Sequence, residues 1–76
     1  MPATKRDEQL KRIGLNISLQ RKLKGIIQAQ LAEMVNISRT HMSNIEAPKV
    51  KTALSIDLLL DIANALEIEP ALLFQN

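Results

Sequence analysis

Cysteine, tryptophan and tyrosine are absent from this sequence, and Phe74 is its single aromatic residue. Without cysteine there are no disulfide staples and no thiolate metal ligands, which fits a reducing compartment; a cytoplasmic protein is expected. His41 is the one histidine, so zinc held by His/Cys sets is excluded, and neither a metal nor a cofactor is expected. The lack of aromatics counts against single-strand and RNA binders, whose bases stack on aromatic platforms. It also removes residues that favour strands. What remains is a 46% hydrophobic fraction dominated by Leu, Ile and Ala, which suits helix packing. No apolar run approaches the ~20 residues of a membrane span. The stretch from Met1 to Gln9 has no signal-peptide apolar core, and no membrane partner is expected.

The 76 residues give room for one domain. A domain this small buries only about 60% of the surface its unfolded chain exposes, so a partner subunit adds much to its stability. Net charge is +2, yet it is unevenly placed. Residues 1–51 hold all ten Lys and Arg against Asp7, Glu8, Glu33 and Glu46, giving +6. Residues 52–76 hold no base and four acids, Asp57, Asp61, Glu67 and Glu69, giving −4. One end suits a polyanion and the other does not.

Periodicity predicts helices throughout. Residues 1–9 read as a polar segment frayed at its start, and 10–76 as the domain. Leu10, Ile13, Ile17 and Arg21 recur at three- and four-residue steps, predicting a first helix from about Lys5 to Lys24 that stops at Gly25. Leu15, Leu19 and Leu23 form a second stripe on it, either covering another element or facing a partner. Gln28 to Val35 reads as a short second helix with Leu31, Ala32 and Val35 inward. Asn36 follows as a residue that tolerates a left-handed turn. Ser38 is a good N-cap for a third helix, Arg39 to Glu46, with Met42 and Ile45 on its apolar side. At 100° per residue, Arg39, Thr40, Ser43 and Asn44 fall on the opposite arc, which is polar and free of acid. Pro48 ends this helix in a loop, Ala47 to Thr52. Ser55 caps a fourth helix, Ile56 to Leu66, with Leu59, Leu60, Ile62, Ala63 and Leu66 as core candidates. Pro70 opens a last short helix from which Leu73 and Phe74 are expected to pack back.

Gln28 to Glu46 is the informative stretch. Two short helices joined by a turn of three to four residues cross steeply. The second then protrudes, with a polar face sized for the DNA major groove, about 12 Å wide. The sequence resembles the helix-turn-helix family of phage repressors, Cro proteins and their bacterial relatives, often called the xenobiotic-response-element type. The marks are Ile13-Gly14, Arg21 and Lys24-Gly25, then Gln28 and Leu31-Ala32-Glu33. They continue through Ile37-Ser38-Arg39, Met42-Ser43 and Ile45-Glu46 to Leu59-Leu60 and Ala63-Asn64-Ala65-Leu66. The resemblance implies an all-α, compact five-helix, lambda-repressor-like DNA-binding domain and a transcriptional regulator, not an enzyme.

The resemblance also implies roles at matching positions. Gln28 is similar to the residue that binds a backbone phosphate. Ser38, Arg39, Thr40, Ser43 and Asn44 resemble the base-reading face. Arg39 suits guanine O6 and N7, Asn44 suits adenine N6 and N7, and the Thr40 methyl suits a thymine methyl. Lys49 and Lys51 resemble phosphate contacts that fix register without reading sequence. Arg21 and Glu46 match a family pair joining the first helix to the end of the recognition helix. His41 lies at the edge of the reading face, where it either touches a phosphate or covers the rim of the core. The sequence departs from the family at Ile27, where a Ser or Thr cap is usual; at Asn36 and Glu67, where Gly is usual; and at Pro48, where Gly is common. Loss of the Ile27 cap is expected to weaken the second helix by ~1 kcal/mol.

Family members pair two domains across a near-palindromic site with half-sites about 34 Å apart, so the resemblance implies a homodimer on double-stranded DNA. The pairing surface is either Leu72, Leu73 and Phe74 or the Leu15–Leu19–Leu23 stripe. The alternative is an antitoxin-like module whose main task is binding another protein.

Overall fold

The computed structural model describes residues 4–47 and 54–75. The described chain is all-helical: α1 (Lys5–Leu23), α2 (Gln28–Met34), α3 (Arg39–Glu46), α4 (Ile56–Ala65) and a closing 3-10 helix (Pro70–Phe74). No helix among these residues is long and apolar enough to cross a membrane. The fifth element is thus a single tight turn, with Pro70 at its start as its fixed φ favours.

Each of the four α-helices begins where a side chain can take the place of the missing turn. Thr4 accepts from the Asp7 N–H (3.0 Å), and the Asp7 carboxylate accepts from the Thr4 N–H (3.2 Å). This reciprocal box starts α1 at Lys5, so residues 5–9 are helical and the boundary drawn at residue 10 falls inside α1. Asp7 and Glu8 in the first turn and Arg21 and Lys22 in the last complement the helix dipole. Ser38 Oγ accepts from the His41 N–H (3.0 Å), and Ser55 Oγ from the Leu58 N–H (3.1 Å). At α2 the N-cap is Ile27, which has no acceptor, and Gln30 Oε1 accepts from the Ile27 N–H instead (3.0 Å). Half of the reciprocal box survives the loss of its usual hydroxyl.

Three helices end by the same device. At α1, the Ile26 N–H donates to the Arg21 carbonyl (3.1 Å) and the Gly25 N–H to that of Lys22 (3.0 Å). At α2, Ile37 reaches Ala32 (3.0 Å) and Asn36 reaches Glu33 (3.1 Å). At α4, Ile68 reaches Ala63 (3.0 Å) and Glu67 reaches Asn64 (3.1 Å). Each is a Schellman ending, in which the residue after the cap must turn left-handed and the next folds an apolar side chain back onto the helix. The left-handed residues are Gly25 (φ 71°), Asn36 (φ 60°) and Glu67 (φ 56°). Each is followed by an isoleucine, Ile26, Ile37 or Ile68, that packs against the core.

α1 packs on the 3-10 helix and α3, α2 chiefly on α3, and α4 on the 3-10 helix and α2. Between them Ile17, Leu31, Met42, Ile62, Leu66 and Leu73 are fully buried. Full burial of such a side chain contributes roughly 1.5–3 kcal/mol. Two contacts set how close α1 comes to its neighbours. A Cβ at Gly14 would fall on the carbonyl oxygen of Ile45, so only glycine lets the last turn of α3 lie against α1. Asn16 Nδ2 donates to the carbonyls of Leu73 (3.0 Å) and Gln75 (2.6 Å), satisfying acceptors that the 3-10 helix leaves open.

Three apolar expectations need correction. Leu60 is 41% exposed and Phe74 54%, so neither packs into the core. Their positions turn them outward: Leu59, Ile62, Ala63 and Leu66 already complete the inward face of α4, and Leu73 fills the space under the 3-10 helix. Leu73, being wholly buried, is also removed from the set of residues available to a partner. Leu15, Leu19 and Leu23 are exposed, opposite the buried stripe of Ile13, Ile17 and Arg21.

Glu67 is a β-carbon residue in a left-handed position, which costs ~1 kcal/mol or more. Glu67→Gly is expected to stabilise the domain by about 0.5–1 kcal/mol after the larger backbone entropy of glycine is counted, raising Tm by a few degrees, roughly 2–8 °C. Thermal unfolding checks this; an unchanged or lower Tm contradicts it.

Candidate nucleic-acid interface

α2 and α3 are joined by Val35 to Ser38 and pack on one another along Leu31, Ala32, Met42 and Ile45, all buried. The inward side of α3 is completed by Glu46, also buried. On its outward side Ser38, Arg39, Thr40 and Ser43 are exposed and Asn44 is half-buried. Arg39, Thr40, Ser43 and Asn44 thus share one side of a helix whose other side is sealed, and Ser38 stands exposed at its start. No acid stands on that side: the one carboxylate of α3, Glu46, points inward. Ser38 spends an oxygen lone pair on its cap, and its hydroxyl hydrogen remains able to donate. His41 is half-buried between the two sides. Pro48, Lys49 and Lys51 lie outside the described residues.

The Glu46 carboxylate is the hub beneath this surface. Arg21 Nε lies 2.9 Å from Oε2, and Arg21 Nη2 lies 2.9 Å from Oε1, a two-pronged ion pair. The third arm, Nη1, donates to the carbonyl of Ile26 (2.7 Å). Gln28 Nε2 adds a further bond to Glu46 Oε1 (3.2 Å). One carboxylate and one guanidinium therefore join α1, the corner after it, the first residue of α2 and the last residue of α3. The side chains of Arg21 and Glu46 are only 9% and 4% exposed. Gln28 is half-buried at the edge of the same network.

Sequence reasoning paired Arg21 with Glu46 but set Gln28 apart as a phosphate contact, and did not foresee that Gln28 shares the same carboxylate. It also missed Gln30 as the substitute cap of α2 and Asn16 as the tie to the 3-10 helix. Gln30 stands three residues after Ile27, the spacing of a capping box, so that signal was present. Asn16 gave only a weak one, a poor helix former inside a strong helix.

Two short helices, a left-handed turn and a protruding polar face on the second define a helix-turn-helix domain. The helix-turn-helix family model of the Cro/C1 type matches residues 17–73. The chain belongs to this family, and it is a DNA-binding regulator. The solved structure of the restriction-modification controller protein C.AhdI from Aeromonas hydrophila is similar, with a TM-score of 0.78 and 31% sequence identity. The match covers 86% of this chain and 96% of that one. None of the curated proteins compared with the chain matches it.

Truncating Glu46 leaves the buried Arg21 guanidinium without its partner, which costs about 3–5 kcal/mol. That is a large part of the 5–15 kcal/mol that holds a domain of this kind together. Glu46→Ala is therefore expected to lower Tm sharply or unfold the protein, as read by circular dichroism. An unchanged melting curve would remove the ion pair from any structural role.

Proposed function

We propose that this protein reads a specific double-stranded DNA sequence by laying α3 in the major groove, and that it does so as a homodimer on a near-palindromic operator. The observation that carries this reading is the two-sided character of α3: Met42, Ile45 and Glu46 are locked inside while Ser38, Arg39, Thr40 and Ser43 stand in solvent. An α-helix with its side chains is about 10–12 Å across, matched to a groove about 12 Å wide. The likeness to a controller protein supports gene regulation as the task.

Arg39 forks onto guanine O6 and N7, Asn44 pairs with adenine, and the Thr40 methyl meets that of thymine. Ser38 and Ser43 hydrogen-bond to whichever base edge lies beside them. Gln28 donates to a backbone phosphate, and His41, Lys49 and Lys51 are assigned the same sequence-blind work. One α3 spans only a few base pairs, so two copies are needed for a site of useful length. Of the two surfaces offered for pairing, the Leu15–Leu19–Leu23 stripe on α1 is exposed, while near the C-terminal end Phe74 is exposed, Leu72 half-buried and Leu73 buried.

Selection of bound duplexes from a random pool tests this reading directly. A defined half-site should emerge, and affinity for it should fall steeply with salt, by roughly 0.9 log units per log unit of salt for each phosphate neutralised. Failure to enrich any duplex would favour the protein-interaction module. On the selected site, Arg39→Ala should cost roughly 1–3 kcal/mol and relax preference at one base position. Equal loss on every duplex would contradict base reading. Gln28→Ala should weaken all duplexes by about the same factor, with the salt slope unchanged because no charge is lost; an altered base preference contradicts the phosphate role.

A further inference from the structure

We infer that Glu46 is a positioning residue for DNA binding: its buried carboxylate decides which edge of the Gln28 amide is turned inward and leaves an N–H free for the phosphate backbone. This rests on the duplex-binding reading above and adds a residue that itself touches no DNA. A phosphate oxygen only accepts hydrogen bonds, so Gln28 can serve it only through the amide nitrogen; the amide oxygen would repel it. An exposed glutamine is free to present either edge. Gln28 is half-buried, and its Nε2 faces Glu46 Oε1 at 3.2 Å. A carboxylate cannot donate, so the opposite orientation would set oxygen against oxygen. One amide hydrogen is thereby committed to Glu46, and the second remains for an acceptor outside the protein.

The carboxylate can impose this choice because it is itself fixed. Arg21 grips both of its oxygens at 2.9 Å, and Arg21 is anchored in turn to the Ile26 carbonyl at 2.7 Å. Glu46 is the last residue of α3, and its Cα lies against Gly14 of α1. The orientation of a phosphate-binding group on α2 is therefore set by the seating of the base-reading helix. If α3 is displaced, the carboxylate moves and the amide loses its reference. Base reading and backbone grip become a coupled pair rather than two independent contacts.

The test is a double-mutant cycle on the full chain with Gln28→Ala, Glu46→Gln and both together. Its probes are the duplex selected from the random pool and one unrelated duplex of equal length, at a temperature where melting shows every variant folded. Each single variant is expected to lose about tenfold in affinity on both duplexes, and the double variant no more than either single. Glu46→Gln removes an acid and makes the protein more cationic, so long-range attraction alone would tighten its binding. Weaker binding thus reports the lost orientation, not charge. Wild-type or tighter binding by Glu46→Gln, or losses that multiply in the double variant, overturn the proposal. If Glu46→Gln does not fold, the side-chain amide resonances of Gln28 in the nitrogen-labelled wild type decide instead. On adding the selected duplex, one amide proton should shift strongly while its partner, bound to Glu46, moves little; an amide that DNA leaves unperturbed overturns the proposal. If wild-type protein selects no duplex at all, the duplex-binding reading fails first. If it selects one and the cycle is additive, only the role of Glu46 fails.

Discussion

The two-pronged pairing of Arg21 with Glu46 is the contact on which the rest of the arrangement turns. Two charges of opposite sign are taken almost wholly out of water and set 2.9 Å apart. Removing them from water costs several kcal/mol per ion, and their attraction offsets this only when geometry is good and the remaining donors and acceptors are satisfied. Here the third guanidinium arm meets a backbone carbonyl, and the carboxylate takes a further donor from Gln28. A hydrophobic pair of similar volume would hold the helices together as well or better. It would not fix their rotation, because apolar contacts are non-directional. The ion pair is directional, and the angle it favours between α1 and α3 decides where the exposed side of α3 points.

Backbone geometry does the same work at a smaller scale. The chain leaves α1, α2 and α4 through the same hydrogen-bonded ending, each time with a left-handed residue and then an isoleucine against the core. The ending fixes the exit direction, and the isoleucine holds it there. Three different residues fill the left-handed position, Gly25, Asn36 and Glu67, in rising order of steric cost. That Glu67 is tolerated indicates how strongly the surrounding packing, with Ile62, Ala63 and Leu66 buried beside it, determines the path of the chain. Gly14 adds the complementary constraint: it gives no conformational freedom but an absence of atoms, which lets α3 approach.

Much of this was legible in the amino-acid string because it is encoded locally. The apolar step of Ile13, Ile17 and Arg21, the caps Ser38 and Ser55, the stop at Gly25 and the turn at Asn36 depend on a residue and its near neighbours. They placed helix boundaries within a residue or two. The outward arc of α3 was legible for the same reason, since a helical period divides exposed from buried positions once Met42 and Ile45 are taken as inward. Leu60 and Phe74 were misjudged because hydrophobicity says that a side chain gains from burial, not that space remains for it.

Taken by itself, the order of residues determined where each helix starts and stops, which side of it is apolar, and that the N-terminal two-thirds is the cationic part; all of these follow from short-range hydrogen bonding, periodicity and simple charge. Only the folded molecule decided that Gln28, 18 positions from Glu46, shares its carboxylate with Arg21, 25 positions away, and that Gly14 is small for the sake of Ile45. Those contacts join residues on different helices, and no local rule specifies the angle at which two helices cross. Packing of the whole core brings the helices together, the directional Arg21–Glu46 pair fixes their rotation, and the meeting of Gln28 with Glu46 is the consequence.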